Sequence, residues 1–143
     1  MTQTGGRIVM GNWIPGDPTL VAQVLRISGA YSPPPPEGFV SPVTWGDAAT
    51  VEERFTAAGI PSGNISCVRA TYNFEMPVPP QELLSVFRYY YGPTVNAFAA
   101  ADAAGRADEL QGELGTLFES QNESGSPGST SIPATFLLVT VMR

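Results

Sequence analysis

The chain has 143 residues, a length that fits one domain, and we predict a single domain over residues 1–143. Its net charge is −6, with seven arginines and no lysine, which excludes the clustered basic surface that nucleic acid or an anionic membrane requires. It contains no histidine, which removes Ser-His-Asp and Cys-His catalysis and most zinc-site designs, and its one cysteine, Cys67, allows no intrachain disulfide.

The first predicted element is a strand within residues 5–13. A pair of glycines leads into an apolar run without polar alternation, a pattern typical of a strand covered on both faces in a parallel sheet. A turn follows. Asp17 or Thr19 is then positioned to cap a helix over residues 19–31, whose apolar side chains recur on one face.

Residues 33–36 are four consecutive prolines, which favour an extended polyproline conformation and cannot continue a helix. We interpret this segment as a stiff connector, and the alternative is a docking site for a proline-reading module. Phe39, Val40 and Val43 follow at once, and their apolar character predicts that they are packed.

A second helix is predicted to begin at Asp47 as its N-cap and to end at Gly59. Alternating apolar and polar side chains then predict a half-exposed strand over residues 65–76, typical of a sheet edge or of an antiparallel neighbour. Cys67 lies in this strand. Because no histidine is present to activate it, we interpret it as a buried structural thiol.

The C-terminal half of the chain predicts three helical segments and a strand. A helix starts near Gln81 after a proline-rich turn and breaks at Pro93, beyond which a second segment continues. A further helix is predicted over residues 103–122, followed by a flexible Ser- and Gly-rich loop over 123–131. Residues 135–141 are apolar on both faces, which predicts a central strand buried on both sides.

Five segments of the chain carry a resemblance to a known family. They are the strand Gly5-Gly6-Arg7-Ile8-Val9-Met10 with its end Asn12-Trp13, the helix between Trp45-Gly46-Asp47 and Ala58-Gly59-Ile60, the strand Ser66 to Met76, the segment Phe87-Arg88-Tyr89-Tyr90-Tyr91-Gly92-Pro93-Thr94, and residues 135–142. In this order they resemble the fifth strand, the next helix, the sixth strand, a helical insertion and the seventh strand of small-molecule class I S-adenosylmethionine-dependent methyltransferases.

The resemblance implies an α/β fold. It would be a partial Rossmann-like methyltransferase sheet of about three strands packed with four to five helices, with the last strand central and antiparallel. The family binds its cofactor through a glycine-rich turn after the first strand and an acidic residue after the second, and neither stands in this sequence. The resemblance therefore carries over no cofactor-binding residue, and S-adenosylmethionine is expected only if a partner half completes the fold.

Ligands of open α/β sheets bind beyond the C-terminal ends of parallel strands, where Asn12 and Trp13 are predicted to lie. Trp45, Tyr90 and Tyr91 are predicted to wall the same cleft if the helical insertion covers it as in the family. An aromatic pocket of this kind suits a flat or apolar small molecule, although the same side chains also suit plain core packing. No catalytic residue and no metal ligand is predicted, because the carboxylates have positions typical of helix caps and solvated faces.

Three functions remain open. The chain is a truncated methyltransferase-like protein that binds a small apolar or aromatic molecule or a partner chain, or a subunit of a split methyltransferase, or a small cofactor-free cyclase or isomerase with an aromatic pocket. In each case an exposed strand edge at Ile8–Met10 predicts a covering chain, either a second copy in a homodimer or a partner half. The sequence shows neither a bilayer-spanning run nor a signal peptide, so a cytoplasmic location is expected.

Overall fold

The structure, a computed structural model, describes residues 5–143. Within them the chain forms three strands and five α-helices, in the order β1 (Arg7–Trp13), α1 (Leu20–Tyr31), α2 (Ala48–Ala57), β2 (Ile65–Met76), α3 (Pro80–Tyr90), α4 (Gly92–Ala103), α5 (Ala107–Ser120) and β3 (Thr130–Met142). Short 3₁₀ helices at Pro42–Gly46 and Ser62–Asn64 flank α2. The predicted α/β class, with three strands and four to five helices, is confirmed.

The three strands form one antiparallel sheet in the order β1-β3-β2, so the last strand of the chain lies in the middle. β1 pairs with β3 from Arg7 opposite Met142 to Trp13 opposite Phe136. The predicted central and antiparallel position of the last strand is therefore confirmed. β1 and β2 are the two edges of this sheet.

Two compact units make up the chain. The first comprises Met1–Asp17, Gly38–Tyr72 and Thr135–Arg143, and the second comprises Pro18–Glu37 and Asn73–Ala134. The prediction of a single domain over residues 1–143 stays a prediction.

In the first unit, α2 covers one face of the sheet. The buried core on this face combines one α2 side chain with three β3 side chains: Val51, Leu137, Val139 and Val141. Partly buried side chains pack against them: Ile8, Met10, Ile14, Trp45, Phe55, Ile60, Ile65 and Cys67. Leu138, which points to the other face, is only half-buried. The prediction that β3 is buried on both sides is therefore correct for only one face in this unit.

The predicted N-cap of α2 is confirmed. The carboxylate of Asp47 accepts hydrogen bonds from the backbone N–H of Thr50, at 2.9 Å, and from the hydroxyl of Thr50, at 2.6 Å. These two hydrogen bonds hold the pKa of Asp47 below its usual value. α2 therefore begins where the sequence placed it, directly after the turn that contains Trp45.

Two predictions of burial in the first unit are wrong. β1 is an edge strand with alternating exposure rather than a strand covered on both faces, and Val9 is 52% exposed. Phe39 and Val40, predicted to be packed, are also exposed. On β1, only one face of the strand is covered, by the side of the sheet that packs against α2. The alternate residues of β1 point to the other face and are exposed, so an apolar run does not by itself predict burial.

In the second unit, four helices enclose an aromatic and aliphatic core. α1 packs against α4 and α5, and α3 packs against the same two helices. The ring of Phe87 lies at the centre of an aromatic group, 5.4 Å from Phe118, 5.6 Å from Phe74 and 5.1 Å from Tyr91 between ring centroids. The predicted break between α3 and α4 is confirmed, with Gly92 and Pro93 opening the new helix.

The boundaries of two elements differ from their predictions. α4 continues to Ala103 and α5 begins only at Ala107, because Gly105 adopts a φ of +69° that interrupts the helical run. β3 begins at Thr130 rather than at 135. Thr130 and Ser131 belong to the Ser- and Gly-rich run that predicts a loop, whereas they are the first residues of β3.

The loop that leads into β3 is held by side-chain hydrogen bonds. The Asn122 amide donates to the backbone oxygen of Ser129 at 2.9 Å, and its oxygen accepts from the backbone N–H of Ser131 at 2.8 Å. The Ser124 hydroxyl donates to the backbone oxygen of Ser129 at 2.8 Å. The predicted loop is present, and its Asn and Ser side chains hold it in one conformation through hydrogen bonds to its own backbone.

A charged group around Tyr31 connects α1 with α5. The Tyr31 hydroxyl donates to the Glu113 carboxylate at 2.7 Å, and the Arg106 guanidinium lies 4.4 Å from the centre of the Tyr31 ring. Arg106 also donates two hydrogen bonds to Glu109, at 2.8 and 2.9 Å. Desolvation of the phenol, followed by its hydrogen bond to Glu113, raises the pKa of Tyr31 to about 12.

This pKa predicts a loss of stability at alkaline pH. The unfolded chain releases the Tyr31 proton near pH 10, as free tyrosine does, whereas the folded chain holds it until about pH 12. The free energy of unfolding is therefore expected to fall as the pH rises from about 10 to about 12, and Tyr31→Phe is expected to show a smaller fall. Urea unfolding of both proteins between pH 8 and about 12, followed by circular dichroism, measures the difference. Equal slopes for the two proteins would contradict the assigned pKa.

Candidate functional site

The second face of the sheet in the first unit is exposed and largely apolar. Residues directly opposite one another in an antiparallel pair share a face, so Gly11 and Trp13 of β1 lie on the same face as Leu138 and Phe136 of β3. We call this surface the open face; its apolar members are Val9, Gly11, Trp13, Val68, Tyr72, Phe136, Leu138 and Met142. Val9, Val68, Tyr72 and Met142 are each about half exposed. Contiguous exposed apolar surface is a common feature of binding surfaces.

Four residues of the open face line a cleft of about 250 Å³: Gly11, Trp13, Tyr72 and Phe136. We call it the aromatic cleft. The rings of Trp13 and Phe136, which are opposite one another across the two strands, meet edge to face with centroids 6.1 Å apart and an interplanar angle of 82°. The volume is close to the lower end of the range for small-molecule clefts, about 300 Å³. The cleft thus has room for one small ring system.

Gly11 forms the floor of the aromatic cleft for a steric reason. A Cβ atom at this position would lie 3.1 Å from Cδ2 and 3.3 Å from Cε2 of Phe136. The phenyl ring therefore rests on bare backbone, which explains a glycine in the interior of a strand. The contact fixes the ring of Phe136 across the strand and so shapes one wall of the cleft.

Of the predicted site residues, Trp13 lines the aromatic cleft, but Asn12 and Trp45 do not. Asn12 pairs with Leu137 and so faces the covered side of the sheet, where its amide nitrogen is buried without a hydrogen-bond partner. Trp45 packs against the same covered core, with its ring under the Arg54 guanidinium at 4.5 Å. Adjacent residues of a strand point to opposite faces, which is why Asn12 and Trp13 separate.

Tyr90 and Tyr91 belong to the second unit and do not line the aromatic cleft. Tyr90 ends α3 and is 83% exposed. Tyr91 follows it, and its ring packs against Phe87, in agreement with the core-packing alternative for this residue. Their part in ligand binding stays a prediction.

Three of the four lining residues, Gly11, Tyr72 and Phe136, are not among the site residues predicted from the sequence. The alternation over residues 65–76 puts Tyr72 on the apolar side of the predicted strand, and in the structure Tyr72 is 56% exposed. Phe136 becomes a neighbour of Trp13 only through the β1–β3 register. Gly11 inside a strand and Tyr72 on an alternating strand are visible in the sequence. Neither shows which residue it will contact, because that depends on how the strands pair.

The titratable groups near this site favour binding over acid–base chemistry. The aromatic cleft is lined by no carboxylate, thiol or basic side chain among residues 5–143. Cys67 lies on the covered face, where burial first and the charge of Glu52 second raise the pKa of its thiol, so the thiolate that a nucleophile needs is disfavoured. The buried carboxylate of Asp17 accepts a hydrogen bond from Arg69. Between residues 5 and 143, no cluster of three or more His, Cys, Asp or Glu side chains is arranged to hold a metal ion.

None of the helices in the described range has the length and apolar character that crossing a bilayer requires. No protein-family model matches the chain, and no curated protein matches it.

Proposed function

We propose that this chain is a methyltransferase-like protein that binds a small apolar or aromatic molecule, and that it does not transfer methyl groups alone. The observation that carries the binding proposal is the aromatic cleft, an apolar recess with three aromatic walls on an exposed sheet face. The ancestry is supported by the strand order β1-β3-β2, which is the order expected for the fifth, seventh and sixth strands of the family.

S-adenosylmethionine does not fit the residues of this chain. The family holds it in a glycine-rich turn between a strand and a helix, whereas Gly11 lies inside β1 under the ring of Phe136. The turn that follows β1 contains one glycine, Gly16. We therefore expect no heat when S-adenosylmethionine or its demethylated product is titrated into the isolated chain in a calorimeter. Binding at micromolar concentration would contradict this part of the proposal.

Ligand binding is tested with N-phenyl-1-naphthylamine, a flat apolar probe whose fluorescence rises in apolar surroundings. Tyr72→Ala removes one wall of the aromatic cleft and leaves the core intact, because the side chain is half exposed. We expect the Kd of the probe to rise by about tenfold, equivalent to about 1.4 kcal/mol, for the loss of one aromatic contact.

The matched control is Tyr89→Ala, which removes an exposed tyrosine of the second unit. Its Kd for the probe is expected to equal that of the parent protein. A probe that binds the parent and both variants equally does not use the aromatic cleft, and that result would overturn the assignment.

The second candidate function is a subunit of a split methyltransferase, and the exposed edge of β1 favours it. A sheet edge with unpaired backbone groups and apolar side chains is a place where another chain adds a strand. In either function a chain covers the edge at Ile8–Met10, a second copy or a partner half. Light scattering on the purified protein tests whether a second copy covers this edge, since a protein that stays monomeric at all concentrations would argue against a homodimer. S-adenosylmethionine binding that appears only after a partner half is added would favour the split enzyme.

A further inference from the structure

The open face carries a single charged side chain, Arg7. Alternate residues of a strand point to the same side, so the open face also includes Ser66 and Ala70 of β2, which share the side of Tyr72, and Thr140 of β3, which lies opposite Val9. Among residues 5–143, no Asp or Glu side chain belongs to this face, although the chain as a whole has a formal charge of −6. The face that holds the aromatic cleft therefore differs in charge from the chain as a whole.

The guanidinium of Arg7 is available to a ligand. Residues 5–143 offer it no carboxylate within ion-pair distance. Arg7 is exposed at the start of β1 and lies opposite Met142 of β3, whose side chain is 46% exposed. A guanidinium binds a carboxylate through two parallel N–H···O hydrogen bonds, so an unpaired arginine beside an apolar surface is suited to an anionic group.

An apolar path runs along the open face from Arg7 to the aromatic cleft. Val9 lies between Arg7 and Gly11 on β1 and is 52% exposed, and Leu138 lies opposite Gly11 on β3. A strand rises about 3.4 Å per residue, so the Cα atoms of Arg7 and Gly11 are about 14 Å apart. The long Arg7 side chain can cover part of this distance over Val9. A ligand whose ring lies in the cleft then needs a short apolar chain to bring an anionic end to the guanidinium.

We propose that the ligand of the aromatic cleft is an amphipathic carboxylic acid, with its ring system in the cleft, its apolar chain over Val9 and its carboxylate at Arg7. The inference rests on the proposed ligand-binding function and names the chemical class of the ligand. The distance from the cleft to Arg7 requires several methylene groups between ring and carboxylate, because an acidic group attached directly to the ring stays in the cleft.

The charge of the open face argues against a cationic ligand. A cationic amphiphile in the same position would place its charge beside Arg7, and no acidic side chain of this face would offset the repulsion. A neutral ligand would leave the guanidinium in water and gain nothing from it. Only an anionic end uses both the apolar path and the charge at its far end.

Displacement of N-phenyl-1-naphthylamine tests the carboxylate. The competitors are naphthalene-1-butanoic acid and naphthalene-1-butanol, which share the ring and the chain and differ in charge at neutral pH. Displacement is measured near 0.15 M salt, where the screening length of about 8 Å weakens the effect of distant charges. In the parent protein the Ki of the acid is expected to be about threefold lower than that of the alcohol, an effect of the size that an exposed ion pair produces.

Variants of Arg7 separate its charge from the rest of the side chain. Arg7→Gln is expected to remove the preference for the acid, whereas Arg7→Lys is expected to keep most of it, because lysine retains the charge but not the paired N–H groups. The matched control is Arg26→Gln, which removes an exposed arginine of the second unit and changes the net charge by the same amount. This control is expected to show the preference of the parent protein.

A second pair of competitors tests where the charge is held. Naphthalene-1-carboxylic acid and naphthalene-1-methanol carry their polar groups next to the ring, away from Arg7. The ratio of their Ki values is expected to be the same in the parent protein and in Arg7→Gln. An equal effect of Arg7→Gln on the short and the long acid would mean that Arg7 does not hold the end of the chain, and would overturn the inference.

A parent protein without a preference for naphthalene-1-butanoic acid, or a preference that survives Arg7→Gln, would also overturn it. The fluorescent probe separates this failure from failure of the proposed function. Probe binding that depends on Tyr72, without a preference for the long acid, refutes only the carboxylate at Arg7. A parent protein that does not bind the probe in the aromatic cleft refutes the proposed ligand site and this inference with it.

Discussion

Replacing Gly46 by alanine is expected to lower the free energy of unfolding of the first unit by about 3 kcal/mol or more. Gly46 ends the 3₁₀ helix before α2 and is buried. A Cβ atom there would lie 1.9 Å from the backbone oxygen and 2.7 Å from the carbonyl carbon of Trp13. Backbone atoms cannot rotate away as a flexible side chain does, so the turn and the end of β1 would have to move apart.

Both tryptophans, Trp13 and Trp45, belong to the first unit, so urea unfolding followed by tryptophan fluorescence reports the effect of Gly46→Ala directly. The control is Gly63→Ala in the second 3₁₀ helix, where an added Cβ meets nothing within 4 Å and φ is not positive. It is expected to leave the unfolding midpoint almost unchanged. Similar midpoints for the two variants would show that the close approach of Gly46 to Trp13 does not constrain the fold.

Replacing Phe118 by alanine is expected to lower the free energy of unfolding of the second unit by about 3–5 kcal/mol. The Phe118 side chain is completely buried, and its ring meets Phe87 edge to face, with centroids 5.4 Å apart and an interplanar angle of 79°. The substitution leaves a large cavity between α3 and α5 and removes the aromatic contact. Urea unfolding followed by circular dichroism at 222 nm measures the loss, because four of the five helices belong to this unit.

The same substitution at Phe39 is the control, because that ring is 54% exposed and belongs to the first unit. Phe39→Ala is expected to change the free energy of unfolding by no more than about 0.5 kcal/mol. A loss at Phe118 no larger than the loss at Phe39 would mean that the aromatic group around Phe87 does not hold the helices together.

The elements of the fold could be predicted from the sequence because their signals are local. Alternation over residues 65–76 gives β2 with its observed bounds, and the position of Asp47 gives the start of α2. The order of the strands followed from the family resemblance and from the two apolar faces of residues 135–141. The predicted boundaries were wrong where one backbone conformation decides them, as at Gly105, or where a strand begins inside a Ser- and Gly-rich run, as at Thr130.

The candidate site was less predictable because its geometry depends on register. Asn12 and Trp13 are adjacent in the chain, and only the strand pleat separates them onto two faces. Phe136 lies more than a hundred residues from Trp13 in the sequence, and no local pattern indicates that the two rings meet. Burial on β1 was overestimated for a related reason. An apolar run has the same composition whether its second face meets a helix or remains exposed, as Val9 does.

The contact between Gly11 and Phe136 also constrains how this protein can vary. The two positions are sterically coupled, because a Cβ atom at position 11 would require the ring of Phe136 to shift by a few tenths of an ångström. Side chains larger than alanine at position 11 are expected to need a smaller residue at position 136, and a smaller residue at 136 alone leaves a gap over bare backbone. Functional variants selected from a random library that carry a residue larger than alanine at position 11 should therefore also carry a smaller residue at position 136.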